Sequence, residues 1–213
     1  SFQQPHAQPS PTPNVQAVRF SLGLVPSESL RECLCGKHIF PGSDNTHFQS
    51  CLKFRCKAVK QRHDEITRAI TRLCTEHGIT AASEITSIDN NFQRLRPDGL
   101  QYFPGAARPS LTDTTVRHAC TPSNVTGKKT TSNILDAATT TKANKYRELA
   151  AREDSSFTAL AVLSYGKFSP EFTKFIKKMA NAFVEATPLG VTARTPKEHK
   201  EQITNEISVA LMK

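Results

Sequence analysis

The stretch Arg96–Val116, RPDGLQYFPGAARPSLTDTTV, limits what this chain can fold into more than any other. A basic residue and Pro-Asp lead into a short apolar run, a turn-rich segment with Pro104-Gly105 and Pro109 follows, and a second run carries Asp113. Fourteen residues lie between Asp98 and Asp113, a spacing that suits a β-hairpin with one carboxylate on each strand. Two carboxylates on adjacent strands form a site for a hard cation, because Mg²⁺ takes oxygen ligands and keeps several of its waters.

Around this stretch the chain is basic. Its 213 residues carry a formal charge of +9, which points to polyanionic partners and most simply to nucleic acid. No apolar run approaches the length of a membrane span, so no membrane partner is expected. The N-terminal SFQQPHAQPSPTPN has neither the charged nor the apolar region of a secretory signal, and the missing initiator Met fits a fragment or a processed product. Its four prolines and three glutamines read as a linker or mounting arm, taken here as residues 1–21.

Six cysteines without an export signal read as metal ligands and core thiols rather than disulfides. Cys33, Cys35, His47 and Cys51 give C-x-C followed by H-x-x-x-C, a set that completes a closed tetrahedral Zn²⁺ site. C-x-C is tighter than the usual C-x-x-C, so Cys56 or His38 is an alternative ligand. Residues 22–56 are read as this zinc-knuckle-like module, and residues 57–213 as the main domain.

Within that domain, Lys57–His77 has apolar residues at helical spacing, with Gly78 placed to end the helix. Its polar face carries Arg62, His63, Asp64 and Glu65, either a solvated face or a set that approaches a phosphate or metal. Ile79–Ile88 is expected as one strand with Glu84 inside it, and Asp89-Asn90-Asn91 as a turn. Thr121–Ser132 is expected as a polar loop whose Lys128 and Lys129 reach a backbone phosphate. The sequon Asn124-Val125-Thr126 is taken as chance. Asn133–Ala150 is expected as a helix with Lys142 and Lys145 on one face beside Tyr146. Ser156–Ser164, the most apolar run, is expected as a fully buried central strand. Pro170–Glu185 and Pro196–Lys213 are expected as helices, the first with Lys174, Lys177 and Lys178 facing outward.

Taken in order, these parts resemble the restriction-enzyme-like endonuclease domain of early-branching, often site-specific non-LTR retrotransposon polyproteins. The resemblance rests on the cysteine and histidine series, on Arg62-His63-Asp64-Glu65-Ile66 against R-H-x-x-I, and on Arg96-Pro97-Asp98 with Asp113-Thr114-Thr115-Val116 against K/R-P-D…D-x-T-V. It also rests on Ala138-x-x-x-Lys142-x-x-Lys145-Tyr146 against A-x-x-x-K-x-x-K-Y, and it extends over roughly Leu22–Lys213. It implies an α/β fold of the PD-(D/E)xK nuclease type, a mixed sheet flanked by helices, with Asp98 and Asp113 holding Mg²⁺ or Mn²⁺. A lysine usually stands two residues after the second acid, where this chain has Thr115, so Lys142 or Lys145 takes that role. Glu65 or Glu84 would complete the acidic set, and Arg62, His63, Arg96, Lys128, Lys129 and Tyr146 would face nucleic acid. The implied activity is nicking of target DNA to give a 3′-OH that primes reverse transcription. Its implied partners are target DNA, the element RNA and the reverse transcriptase of the same polyprotein, in the nucleus. The alternative is a catalytically inactive, zinc-containing nucleic-acid-binding domain.

Overall fold

A computed structural model describes residues 52–83, 85, 87, 88, 94–119, 121–188 and 194–212. The expected zinc ligands Cys33, Cys35, His47 and Cys51, the alternative ligand His38, and Glu84 lie outside the described residues.

The architecture is mixed α/β: one four-stranded mixed sheet lies between helices on its two faces. Helix α1 (Leu52–Glu76) precedes β1 (Thr80–Ser83), a small β2 (Ser87–Ile88) and β3 (Arg94–Leu95) pair, then β4 (Gly99–Tyr102) and β5 (Ser110–Arg117). A short α2 (Pro122–Thr126) and the long α3 (Thr131–Arg152) lead to β6 (Ser156–Leu163), and α4 (Pro170–Glu185) and α5 (Pro196–Met212) complete the domain. The sheet order is β1-β4-β5-β6. β1, β4 and β5 pair antiparallel, whereas β6 runs parallel to β5, so α3 serves as the crossover that a parallel pair requires.

Local chemistry explains the element ends. Gly78, at φ +71°, follows α1, where Ile79 N–H donates to Cys74 O at 2.9 Å and Gly78 N–H to Thr75 O at 3.0 Å, the paired bonds of a Schellman cap. Thr130 caps α3 through the Asn133 N–H, and Ser169 followed by Pro170 caps α4 through the Phe172 N–H. At α5, Glu198 accepts from Thr195 N–H at 2.7 Å while Thr195 Oγ1 accepts from Glu198 N–H at 3.3 Å, a reciprocal capping box.

Side-chain alternation divides the core. On one face Ile66, Ile70 and Leu73 of α1 meet Val116, Leu160 and Val162 of the sheet, together with α4 and α5. On the other, α3 packs Ile134, Leu135 and Ala138 against Ala161 and Leu163, while Tyr146 and Leu149 join Leu95 and Leu111. The β6 residues in register with Asp113 and Thr115 are Ala159 and Ala161, whose small side chains let α3 lie close above the middle of β5.

Three expected elements differ. The run Ile79–Ile88 is not one strand: β1 ends at Ser83, and β2 pairs with β3 in a separate small sheet. Ile85 N–H still donates to Pro97 O at 3.1 Å, but Pro97 has no N–H to return, so the ladder stops there. The strand β6 lies at the edge of the sheet rather than its centre, and its first three residues are not buried. Its apolar second half is covered by helices on both faces. Its outer edge is met by the returning chain, where Ser169 N–H donates to Ala161 O and Leu163 N–H to Lys167 O, both at 2.9 Å. The expected polar loop Thr121–Ser132 contains the α2 turn, and Asn124 Nδ2 ties it back to His118 O at 3.0 Å. Lys174, Lys177 and Lys178 are exposed, as expected, and Lys178 also lies 4.4 Å over the Phe103 ring. Among the described residues no helix is long and apolar enough to cross a membrane.

The N-terminal turn of α5 holds a pH-sensitive contact. His199 is buried, 4% exposed, edge-on to His77 at 5.1 Å and to Phe183 at 5.6 Å, while His77 stacks on Phe183 at 3.8 Å. Burial holds the His199 imidazole below its ordinary value, and His77 and Arg194 add to this against Gln202 and Glu198. A depressed histidine stabilises the fold fully above its unfolded value, about 6.5, and loses that contribution as pH falls through the folded one. Thermal melts should therefore show wild type losing more stability between pH 7.5 and pH 5 than His199→Leu, a difference of several degrees in Tm.

Candidate active site

Both acids lie where β4 and β5 begin to diverge. The register of β4 with β5 ends at Gly99 opposite Thr112, and Asp98 stands just before Gly99 and Asp113 just after Thr112. The Asp98 N–H donates to Thr112 O at 2.9 Å, and its own carboxylate then continues the ladder, with Oδ2 accepting the Thr114 N–H at 2.6 Å. The residue after Asp98 must be small. A Cβ at Gly99 would stand 2.5 Å from Gln101 Nε2 and 2.7 Å from Thr112 Oγ1, two atoms already bonded to each other across β4 and β5.

Each carboxylate has a cationic neighbour from a different helix. Asp98 Oδ2 lies 2.8 Å from His63 Nε2 on α1, and His63 Nδ1 lies 3.0 Å from Asp64 Oδ1. The hydrogen bond to Asp98 is the main cause that raises His63 to about 9, against the opposing effect of burial, so the ring is an imidazolium at neutral pH. Asp113 is 3% exposed in the middle of β5. Its Oδ1 accepts the Tyr146 hydroxyl at 2.7 Å, and Lys142 Nζ approaches Oδ2 to 2.5 Å. That approach is an ion pair off the hydrogen-bonding directions, so Oδ2 is buried without a directed hydrogen bond.

Lys142 and Lys145, three residues apart on α3, have different surroundings. Lys142 reaches Asp113, whereas Lys145 is exposed, with Nζ 3.4 Å from the Tyr146 hydroxyl and 4.8 Å above its ring. Tyr146 is 1% exposed, so its ring does not face nucleic acid as the sequence led us to expect. Burial first, then Asp113 and Asp98, push its phenol far above the ordinary value. Thr115 stands where the resemblance places a lysine, packed beside Ala161 on the α3 side.

A groove of about 940 Å³ opens beside the pair. Lys60, Arg96, Arg117, Lys129 and Lys142 bring positive charge to its walls, and Asp98 lies in it. Of the residues expected to meet nucleic acid, His63, Arg96 and Lys129 line this groove. Lys128 is exposed next to it with φ +47°, and Arg62 is half-buried and not among the lining residues. Glu65 pairs with Arg68 at 2.5 Å and lines a different groove between α1 and α5, so it is not brought to the acids.

Three features escaped sequence reasoning. The link between His63 and Asp98 spans 35 positions with no periodic signal. Lys60 and Arg117 look like ordinary solvated charges in the sequence. The burial of Tyr146 had a signal in its four-residue spacing from Lys142 and its alignment with Leu149, which place it on the inward face of α3.

Among the described residues no group of three or more His, Cys, Asp or Glu side chains forms a metal cage. Two carboxylates nevertheless fit Mg²⁺ or Mn²⁺, which are commonly held by one or two carboxylates together with waters and substrate phosphates. The buried Oδ2 of Asp113 has the Lys142 ammonium beside it at 2.5 Å, so the position next to this oxygen is one that suits a cation. Comparison of the sequence with protein-family models and with curated proteins gives no match to either.

The Lys142–Asp113 pair has a measurable consequence. Lys142→Met leaves a buried carboxylate without its counter-ion and should cost about 3 kcal/mol in urea unfolding. Asp113→Asn in the same background should recover most of that loss, since the amide needs no counter-ion and still accepts from Tyr146.

Proposed function

We propose that this chain is a divalent-metal-dependent DNA endonuclease domain of the PD-(D/E)xK type, nicking target DNA to provide the 3′-OH primer for reverse transcription of a non-LTR retrotransposon. The observation that carries the reading is the placement of Asp98 and Asp113 on either side of the Gly99–Thr112 pair, with Lys142 against Asp113, beside a groove with basic walls. The mixed sheet flanked by helices accords with the fold this reading needs.

Asp98 and Asp113 are the residues to hold Mg²⁺ or Mn²⁺. When bound, that ion supplies charge neutralisation at the scissile phosphate and a water of lowered pKa. The chain's own groups do the remaining work. Thr114 N–H fixes one oxygen of Asp98, and Tyr146 fixes one oxygen of Asp113. Lys142, which lines the groove beside Asp113, would set its ammonium near the phosphate, where negative charge develops as water attacks phosphorus. The P–O3′ bond breaks, leaving a 3′-OH and a 5′-phosphate. Lys60, Arg96, Arg117 and Lys129 hold the DNA backbone along the groove by charge.

The polyprotein setting, with element RNA and a reverse transcriptase as partners and a nuclear place of action, rests on the sequence resemblance. So does Zn²⁺ at Cys33, Cys35, His47 and Cys51. One observation favours the second reading, a non-catalytic nucleic-acid-binding domain: His63 and Lys142 already neutralise the two acids, and no third acid joins them among the described residues.

Incubation of the purified protein with supercoiled plasmid and Mn²⁺ or Mg²⁺ separates the two. Wild type should produce nicked circles, Asp113→Ala should lose at least about 100-fold in rate, and Lys142→Ala should lose about 100-fold. Lys145→Ala should change little. Equal nicking by wild type and Asp113→Ala, with salt-dependent DNA binding intact, refutes the endonuclease and leaves the binding domain.

A further inference from the structure

We propose that Tyr146 is a positioning residue for the metal-holding acids: its buried hydroxyl donates to Asp113 and sets the orientation of that carboxylate. This rests on the reading of Asp98 and Asp113 as a cation site.

The geometry that points to it involves a single hydroxyl group and two acceptors. Tyr146 Oη lies 2.7 Å from Asp113 Oδ1 and 2.9 Å from the carbonyl oxygen of Arg96, two residues before Asp98. One acceptor belongs to β5, the other to the segment that leads into β4. The ring cannot shift to follow either, because it stacks on Phe157 at 4.9 Å and packs among Leu95, Leu111 and Leu149. Lys142 and Tyr146 lie one helical turn apart on α3 and take the two oxygens of Asp113 separately, Lys142 at Oδ2 and Tyr146 at Oδ1. The hydroxyl thereby fixes the rotation of the carboxylate and leaves the lysine-facing oxygen for a cation. With one proton to give, the hydroxyl serves the carboxylate at 2.7 Å in preference to the neutral carbonyl at 2.9 Å.

Groups that orient a metal-binding side chain typically matter about 10- to 100-fold in metal affinity. Tyr146→Phe removes the hydroxyl and keeps the ring. Phe157→Leu removes the ring's support and keeps the hydroxyl. Mn²⁺ binding by isothermal titration calorimetry without DNA, thermal melting, and plasmid nicking across Mn²⁺ concentrations are measured for both, with Asp113→Ala defining the site. The expected result is a Mn²⁺ affinity about tenfold weaker for Tyr146→Phe, with nicking that recovers at high Mn²⁺. For Phe157→Leu it is a lowered Tm with Mn²⁺ affinity near that of wild type. An unchanged affinity in Tyr146→Phe, or an equal loss in Phe157→Leu, overturns the proposal, as does the absence of Mn²⁺ binding that depends on Asp113. If wild type binds Mn²⁺ through Asp113 yet does not nick, the endonuclease reading fails, and the affinity ratio still decides the role of Tyr146.

Discussion

A carboxylate in the middle of a buried strand is the constraint on which this structure turns. Asp113 has β6 at its side, the start of β4 next to the preceding residue and α3 above it, and an ion so placed loses most of its hydration. The fold answers with one full charge and one hydroxyl, both from α3 and one helical turn apart. α3 is therefore more than the crossover that makes β6 parallel to β5. Its height above the sheet is set by Ala159 and Ala161, and its rotation has to bring Lys142 and Tyr146 over the same residue.

The second acid is handled differently. Asp98 lies at the end of a strand, partly open to the groove, and is compensated by a backbone N–H and by His63. One acid is thus held from α3 and the other from α1, on opposite faces of the sheet. Removal of either helix contact would leave one carboxylate without its partner charge. Such an arrangement is costly as a means of stability alone, because ion pairs taken out of water seldom improve on apolar packing. That cost is the physical argument for a functional role at this place in the sheet.

Much of the frame was legible from local chemistry. Periodicity and caps located α1, α3, α4 and α5, because each has a polar cap or a terminal glycine next to an apolar stripe, and α3 formed despite its threonine run. The pair of strands around Pro104-Gly105 was legible from their turn residues. The edge position of β6 was not, since an apolar run reports coverage by helices on both faces and is silent about neighbours in the sheet. The break after β1 came from the missing N–H of Pro97, a residue distant in sequence from the run it interrupts. Near the start of β4, Asp98, Asp113 and Lys142 could be singled out from the sequence as candidates. Their pairing could not, because it depends on how high α3 lies over β5 and on which face of α1 meets Asp98.

Gly99 gives the site a mechanical property. With Gln101 and Thr112 filling the space where a side chain would begin, the backbone beside Asp98 is wedged against β5. A side chain at residue 99 would have to displace both and break the hydrogen bond that ties Gln101 of β4 to Thr112 of β5, so the register beside the acids tolerates no bulk there.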